Sequence, residues 1–152
     1  MIRPYASSDA TATYAVFFKA VREGAKARYT AAQRQAWAQS NEMPETWDNK
    51  LSSGTTFVAE DAGEITGFMS LLQNGHLDMA YVAPDQMGSG TALDLYDAIE
   101  FRARSQGLSK LTTEASHLAK PFFAKQDWTL ETAQTVVRNG IDIPNFRMFK
   151  ML

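Results

Sequence analysis

A chain of 152 residues, with 45% hydrophobic and 21% charged residues, has the size and composition of one folded unit with one core, and a single domain over residues 1–152 is expected. The formal net charge of −2 and the scattered lysines and arginines argue against nucleic acid as a partner, and the absence of cysteine excludes disulfides, thiolate metal sites and a cysteine nucleophile. His76 and His117 alone are too few for a histidine-rich metal site, so no metal is expected. No apolar run approaches the length of a membrane span, and Met1-Ile2-Arg3-Pro4-Tyr5 lacks the apolar core of a signal peptide, which makes a cytoplasmic protein with no membrane partner the expectation.

From the N-terminus, residues 2–5 read as a short strand, and Ser7-Ser8-Asp9 supply helix N-cap types. Tyr14, Phe17, Phe18 and Val21 recur at helical spacing and predict one apolar face, with Gly24 at its end. Thr30 and Gln33 are spaced as a capping box, so a second helix is expected to carry Gln35-Ala36-Trp37-Ala38. Pro44 suits the first turn of a third, short helix holding Trp47 and Leu51. Core packing accounts for each of these aromatics singly. Together Phe17, Phe18, Tyr29, Trp37 and Trp47 are the candidates for a substrate groove. From residue 55 the period changes to that of strands. Residues 55–60, 65–73 and 76–82 predict an antiparallel meander, with turns at Asp61-Ala62-Gly63-Glu64 and Asn74-Gly75.

The last of these strands runs into Val82-Ala83-Pro84-Asp85-Gln86-Met87-Gly88-Ser89-Gly90-Thr91-Ala92, and residues 93–104 follow as a helix. A glycine-rich turn from strand to helix leaves backbone N–H groups unpaired at the positive end of the helix dipole, where a phosphate or pyrophosphate is stabilised. The plainer reading is a loop whose glycines only supply positive φ. No lysine stands here for a Walker A loop, and the third glycine of a dinucleotide fingerprint is missing. Gly107 ends the helix, and residues 110–115 read as a strand reached by a helical crossover, hence parallel to the strand before the glycine turn. A helix over residues 118–125 follows. Residues 135–138, Asn139-Gly140 and residues 141–149 predict a closing hairpin, with Pro144 at a bulge or an unpaired edge.

This order of elements, with the glycine turn in that place, resembles the GNAT superfamily of acyl-CoA-dependent N-acetyltransferases over nearly the whole chain. The segments that carry the resemblance are Tyr81-Val82-Ala83-Pro84-Asp85, Gly88-Ser89-Gly90-Thr91-Ala92 and Ala119-Lys120-Pro121-Phe122-Phe123-Ala124-Lys125. Ala36-Trp37-Ala38 and Gln134-Thr135-Val136-Val137-Arg138-Asn139-Gly140 look like a branch of small bacterial-type members. The resemblance implies an α/β (α+β) fold with a mixed, mostly antiparallel sheet of about six or seven strands, about four or five flanking helices and a splayed parallel pair at the cofactor slot. It implies acetyl-CoA as co-substrate, with Met87, Gly88, Ser89, Gly90, Thr91 and Ala92 around the pyrophosphate, Tyr81 and Val82 along the pantetheine arm, and Ser116 and Phe123 lining the slot. The family's first loop position is Gln or Arg, and Met87 departs from it; Ser89 stands where many relatives have a cation. Asp127-Trp128 replaces the usual Gly-aromatic pair.

Acetyl transfer to an amine needs the amine neutral, and neutralising a lysine-like ammonium at pH 7 costs roughly 4–5 kcal/mol. On an ideal strand His76, Asp78, Ala80 and Val82 share one face. Asp78 is the first candidate for the base, acting through water; His76 is the second, with Glu114 and His117 after them. A structural carboxylate is the plain alternative for Asp78. The tyrosine that protonates the leaving thiolate in the family is matched by Phe123, which has no proton to give, so either water or another residue (Tyr81, then Tyr96) supplies the proton, or turnover is slow, or the domain binds CoA without turning it over. The functional expectation is an N-acetyltransferase acting on a small-molecule or peptide amine through a tetrahedral intermediate. The alternative is an acyl-CoA-binding module with little turnover. A homodimer through the C-terminal hairpin or an uncovered sheet edge is compatible with either.

Overall fold

The computed structural model describes residues 1–152. Its order is β1 (Ile2–Pro4), α1 (Ala10–Lys19), α2 (Ala31–Trp37), α3 (Trp47–Ser52), β2 (Thr55–Asp61), β3 (Glu64–Leu71), β4 (His76–Val82), α4 (Thr91–Ser105), β5 (Lys110–Ala115), α5 (Ala119–Lys125), β6 (Thr129–Arg138) and β7 (Ile141–Met151). The strands form one seven-stranded sheet in the order β1-β2-β3-β4-β5-β7-β6. Every neighbouring pair is antiparallel except β4 and β5. No helix is long and apolar enough to cross a membrane.

Local chemistry sets most of these boundaries. The α2 capping box forms in full: the Gln33 amide donates to Thr30 Oγ1 at 3.1 Å, and the Thr30 amide donates to Gln33 Oε1 at 2.9 Å. The β6–β7 turn has φ 50° at Asn139 and 76° at Gly140, the left-handed pair that keeps a two-residue hairpin in step with strand twist. The β2–β3 turn has the same form, with Ala62 at φ 51° where Asn or Gly would sit more easily. At Asn74-Gly75 only Gly75 is left-handed, and β3 ends at Leu71 rather than at residue 73. A Cβ on Gly75 would lie 2.6 Å from the Lys110 carbonyl oxygen, so glycine is needed where β5 begins alongside.

Two other expectations are corrected, and a third is narrowed to one of its alternatives. Pro44 is not in α3, which starts at Trp47 after the N-cap Thr46; the Pro44 carbonyl instead accepts from the Trp47 amide at 3.1 Å. β6 begins at Thr129, well before residue 135, because the chain leaves α5 directly into pairing with β7. Of the two places expected for Pro144, the structure has the unpaired edge and not the bulge. Pro144 pairs with Thr135 of β6 beyond Phe146, the last β7 residue that pairs with β5, so its missing N–H leaves that ladder intact.

The sheet separates two apolar layers. Leu95, Tyr96 and Ile99 of α4, with Phe123 and Trp128, pack on Met69, Leu71, Leu77 and Leu111. On the other face Tyr14 and Val16 of α1, with Trp47 and Leu51 of α3, pack on Val58, Phe68 and Met79. Each large side chain buried in this way contributes about 1.5–3 kcal/mol.

Two irregularities at β4 shape the site. Ser70 pairs with Met79 but Leu71 pairs with Leu77, so Asp78 is an extra residue in the strand. The simple alternation therefore breaks. Leu77, Ala80 and Val82 pack in the α4 layer, and Met79 and Tyr81 in the α1 layer. The face expected to hold His76, Asp78, Ala80 and Val82 keeps the first two and loses the last two. The parallel pair is also short, joining only His76 to Thr112 and Leu77 to Thr113. Thr113 Oγ1 donates to the Leu77 carbonyl at 2.8 Å, and His76 Nδ1 lies 2.9 Å from Thr112 Oγ1. Past these bolts the strands part, while β5 stays paired to β7 as far as Ala115.

Candidate active site

The glycine turn follows β4 at once. Gly88 and Gly90 have φ of 78° and 94°, and a Cβ at either would meet open space, so conformation alone requires glycine. Gly90 is the N-cap of the fifteen-residue α4 and offers no capping side chain. The amides of Gly88 and Gly90 find no carbonyl partner, and the first amides of α4 lie beyond the reach of its own ladder. Ser89 behaves otherwise. Its amide and its hydroxyl both donate to the Gln86 carbonyl, and the hydroxyl also meets Thr91 Oγ1 at 2.9 Å. Met87 turns toward Gly24, at the end of the π-helical turn (Ala20–Gly24) that prolongs α1; a Cβ on Gly24 would stand 2.5 Å from Met87 Cε.

Two cavities open on either side of the gap between β4 and β5. The first, about 450 Å³, runs from Gly88, Gly90 and Ala92 past Val82 to Phe123 and is mainly apolar. The second, about 510 Å³, lies against Phe17, Tyr29 and Trp47 and receives His76, Asp78 and Glu114. Tyr81, Trp37 and Ser116 line both, so the cavities meet at these three residues. Tyr81 is central there. Its ring stands 5.0 Å from Phe17 and 6.3 Å from Trp37. Burial pushes its phenol up to about 12, with Asp78 adding to the rise and Arg138 opposing it. Tyr29 closes the far wall: its hydroxyl donates to the Pro144 carbonyl at 2.8 Å and accepts from the His117 amide at 3.0 Å.

A strand pair that opens over a glycine turn at a helix N-terminus, with a second cavity on the other side, is the arrangement that comparison with known proteins resolves. The profile of a family described as Acetyltransferase (GNAT) domain matches residues 22–150. The chain belongs to the GNAT N-acetyltransferase family. The uncharacterised N-acetyltransferase YafP of Escherichia coli K12 is 33% identical over 147 residues, 97% of this chain and 93% of that protein. The crystal structure of a GCN5-related N-acetyltransferase from Rhodopseudomonas palustris is 35% identical, covers 100% of this chain and 95% of that one, and superposes with a TM-score of 0.94. At 15% identity, a PaiA N-acetyltransferase from Thermoplasma acidophilum in complex with coenzyme A shares the fold, with a TM-score of 0.73 over 100% of this chain and 98% of that one.

In this acetyltransferase, the residues the sequence singled out are distributed unevenly. Tyr81, Val82, Met87, Gly88, Gly90, Ala92, Ser116 and Phe123 all line the first cavity; Ser89 and Thr91 do not. His76, Asp78 and Glu114 face the second, while His117 faces neither and packs between Tyr29 and Phe146, edge-on to the latter. Of the groove aromatics, Phe17, Tyr29, Trp37 and Trp47 line the second cavity; Phe18 lies under the Arg22 guanidinium instead. Tyr96 is withdrawn from both cavities. Its hydroxyl donates to Glu100 Oε1 at 2.7 Å and accepts from Trp128 Nε1 at 2.8 Å, so its expected part as a proton donor is lost to the core. Asp127 takes φ 65°, the left-handed turn that a glycine would otherwise supply, so the turn after α5 persists. The sequence reading missed Arg138 and Asn145, which reach the second cavity from β6 and β7. Alternation along the hairpin puts each on a definite face, but only the packing of α2 against Val136 and Ile143 decides which face is inward.

Proposed function

We propose that this acetyltransferase uses acetyl-CoA to acetylate a primary amine by direct attack, with the thioester in the first cavity and the amine in the second. The observation that carries this reading is the junction of the two cavities at Tyr81, Trp37 and Ser116, just beyond the point where β4 and β5 part. The chain's own groups fit the co-substrate. The free amides of Gly88 and Gly90 and the α4 N-terminus suit a pyrophosphate. The unpaired edge of β4 offers N–H and C=O groups to the amides of a pantetheine arm, and one such N–H serves as donor to the developing oxyanion.

On the amine side, Asp78 accepts the ammonium proton through water, and the bulge keeps its carboxylate on the same side as His76. General base help of this kind is worth about 10²–10⁴-fold. Tyr81 stays a phenol at neutral pH and supplies a hydrogen bond toward the departing sulfur. The test is release of free thiol from acetyl-CoA with a panel of primary amines. Asp78→Asn is expected to lower kcat/KM by about 100-fold while leaving acetyl-CoA affinity near that of the parent. Equal loss of affinity and of thermal stability would make Asp78 a structural carboxylate instead. A second reading, an acyl-CoA-binding module with little turnover, draws on Phe123, which lines the first cavity without a hydroxyl. It is favoured if acetyl-CoA binds but no amine releases thiol from either the parent or Phe123→Tyr.

A further inference from the structure

The second cavity carries charges of both signs that nothing in the protein neutralises. Asp78 and Glu114 face it from the diverging ends of β4 and β5, and Arg138 faces it from the tip of the β6–β7 hairpin. None of the three takes part in any ion pair of the structure, and none has a side-chain hydrogen bond. Asn145 adds to this on β7: its Oδ1 is buried without a hydrogen-bond partner. A buried acceptor left unpaired is destabilising, and a donor brought by a ligand would satisfy it. Asn145 lies next to Phe146, the partner of Ala115, and so sits past the last β4–β5 pair, Leu77 and Thr113, on the side where the strands diverge. Three residues with hydrogen-bond acceptors, Asp78, Glu114 and Asn145, thus line the cavity assigned to the amine, Glu114 at its solvent-exposed margin. Arg138 is displaced from them. Asn145 pairs with Gln134, four residues back along β6 from Arg138, a separation of about 13 Å along the strand. The walls between are aromatic, Trp37 and Tyr81 among them. Glu42 and Lys50, one of each sign on the opposite wall, add no net charge.

We infer that the acceptor of this site is a primary amine that also carries an anionic group, with the ammonium end on Asp78, Glu114 and Asn145 Oδ1, the anionic end on Arg138, and a flat or aromatic middle against Trp37 and Tyr81. This rests on the acetyl-transfer reading above and narrows its substrate class. A carboxylate, phosphonate or phosphate would each satisfy Arg138, since the guanidinium fork binds all of them in two-pronged fashion.

The test uses rigid matched probes: 4-(aminomethyl)benzoate, its neutral amide 4-(aminomethyl)benzamide, and benzylamine. Thiol release from acetyl-CoA gives kcat/KM for each, and calorimetry in the presence of CoA gives affinity. The carboxylate probe is expected to exceed both others by roughly 10–100-fold, the range for a hydrogen bond to a charged group. Arg138→Gln collapses that ratio toward one, and Arg138→Lys restores part of it. If the probes bind with this preference but none is turned over, the charge assignment stands and the acetyl-transfer reading falls. If benzylamine is turned over as well as the carboxylate, or Arg138→Gln leaves the ratio unchanged, the assignment falls and the transferase reading stands. Absence of preference in both assays overturns the assignment outright.

Discussion

At the scale of single residues, Phe123, which the family resemblance sets in the place of a proton-donating tyrosine, gives the first prediction. It is 1% exposed, packed against Tyr96 and Trp128 with one edge on the first cavity. Phe123→Tyr puts a phenol on that edge, and we expect kcat to rise by about tenfold or more while acetyl-CoA affinity holds, as measured by single-turnover thiol release. An unchanged kcat would mean that Tyr81 and water already carry the proton. Backbone strain gives a second prediction. Ala62 holds φ 51° in a two-residue hairpin, a conformation that costs a non-glycine residue about 1–2 kcal/mol. Ala62→Asn should raise Tm by about 2–4 °C with no effect on activity. Sequence made Gly88 and Gly90 legible because a positive φ has a residue signature. It could not show that Ser89 turns its hydroxyl onto the Gln86 carbonyl, because nothing in the residue type sets that rotamer.

At the scale of elements, the short parallel pair and the bulge in β4 decide what the site can hold. The hairpins, the capping box and the strand before the glycine turn were readable, since each has a local cause in turn residues or period. The bulge at Asp78 was not: it arises from how β4 registers against β3, and two strands meet only in the folded chain. The splay is likewise a tertiary fact, fixed by the bonds from Thr113 to Leu77 and between His76 and Thr112. Thr113 is buried, so Thr113→Val keeps the volume but leaves the Leu77 carbonyl short of a donor. It should cost about 1–3 kcal/mol in denaturant unfolding and raise KM for the amine more than it lowers kcat. A stability loss with both kinetic constants unchanged would show that the bolt holds the fold without setting the width of the site.

At the scale of the whole molecule, the titration behaviour follows from where ionisable groups are held. All five tyrosines have phenols pushed above their ordinary value, first of all by burial. The stability this represents is fully present below about pH 10 and is lost as pH rises through the higher folded values. Phenolate absorbance should therefore appear together with loss of fold rather than ahead of it. On the acid side, hydrogen bonds from Arg3 hold the Asp9 carboxyl below the usual range, against its burial. Its contribution is present above about pH 4 and fades as pH falls through the lowered folded value, so Asp9→Asn should flatten the acid limb of the stability profile. The glycine turn and the first cavity are proposed to hold the CoA thioester, and every other assignment depends on that. The most direct test is thermal unfolding with acetyl-CoA, CoA and ATP side by side. A ligand at 100 times its Kd stabilises by about 2.7 kcal/mol, which is roughly 5–10 °C for a chain of this size. Such a shift is expected with acetyl-CoA and CoA, and little with ATP. No shift with either thioester or thiol, or an equal shift with ATP, would contradict that assignment.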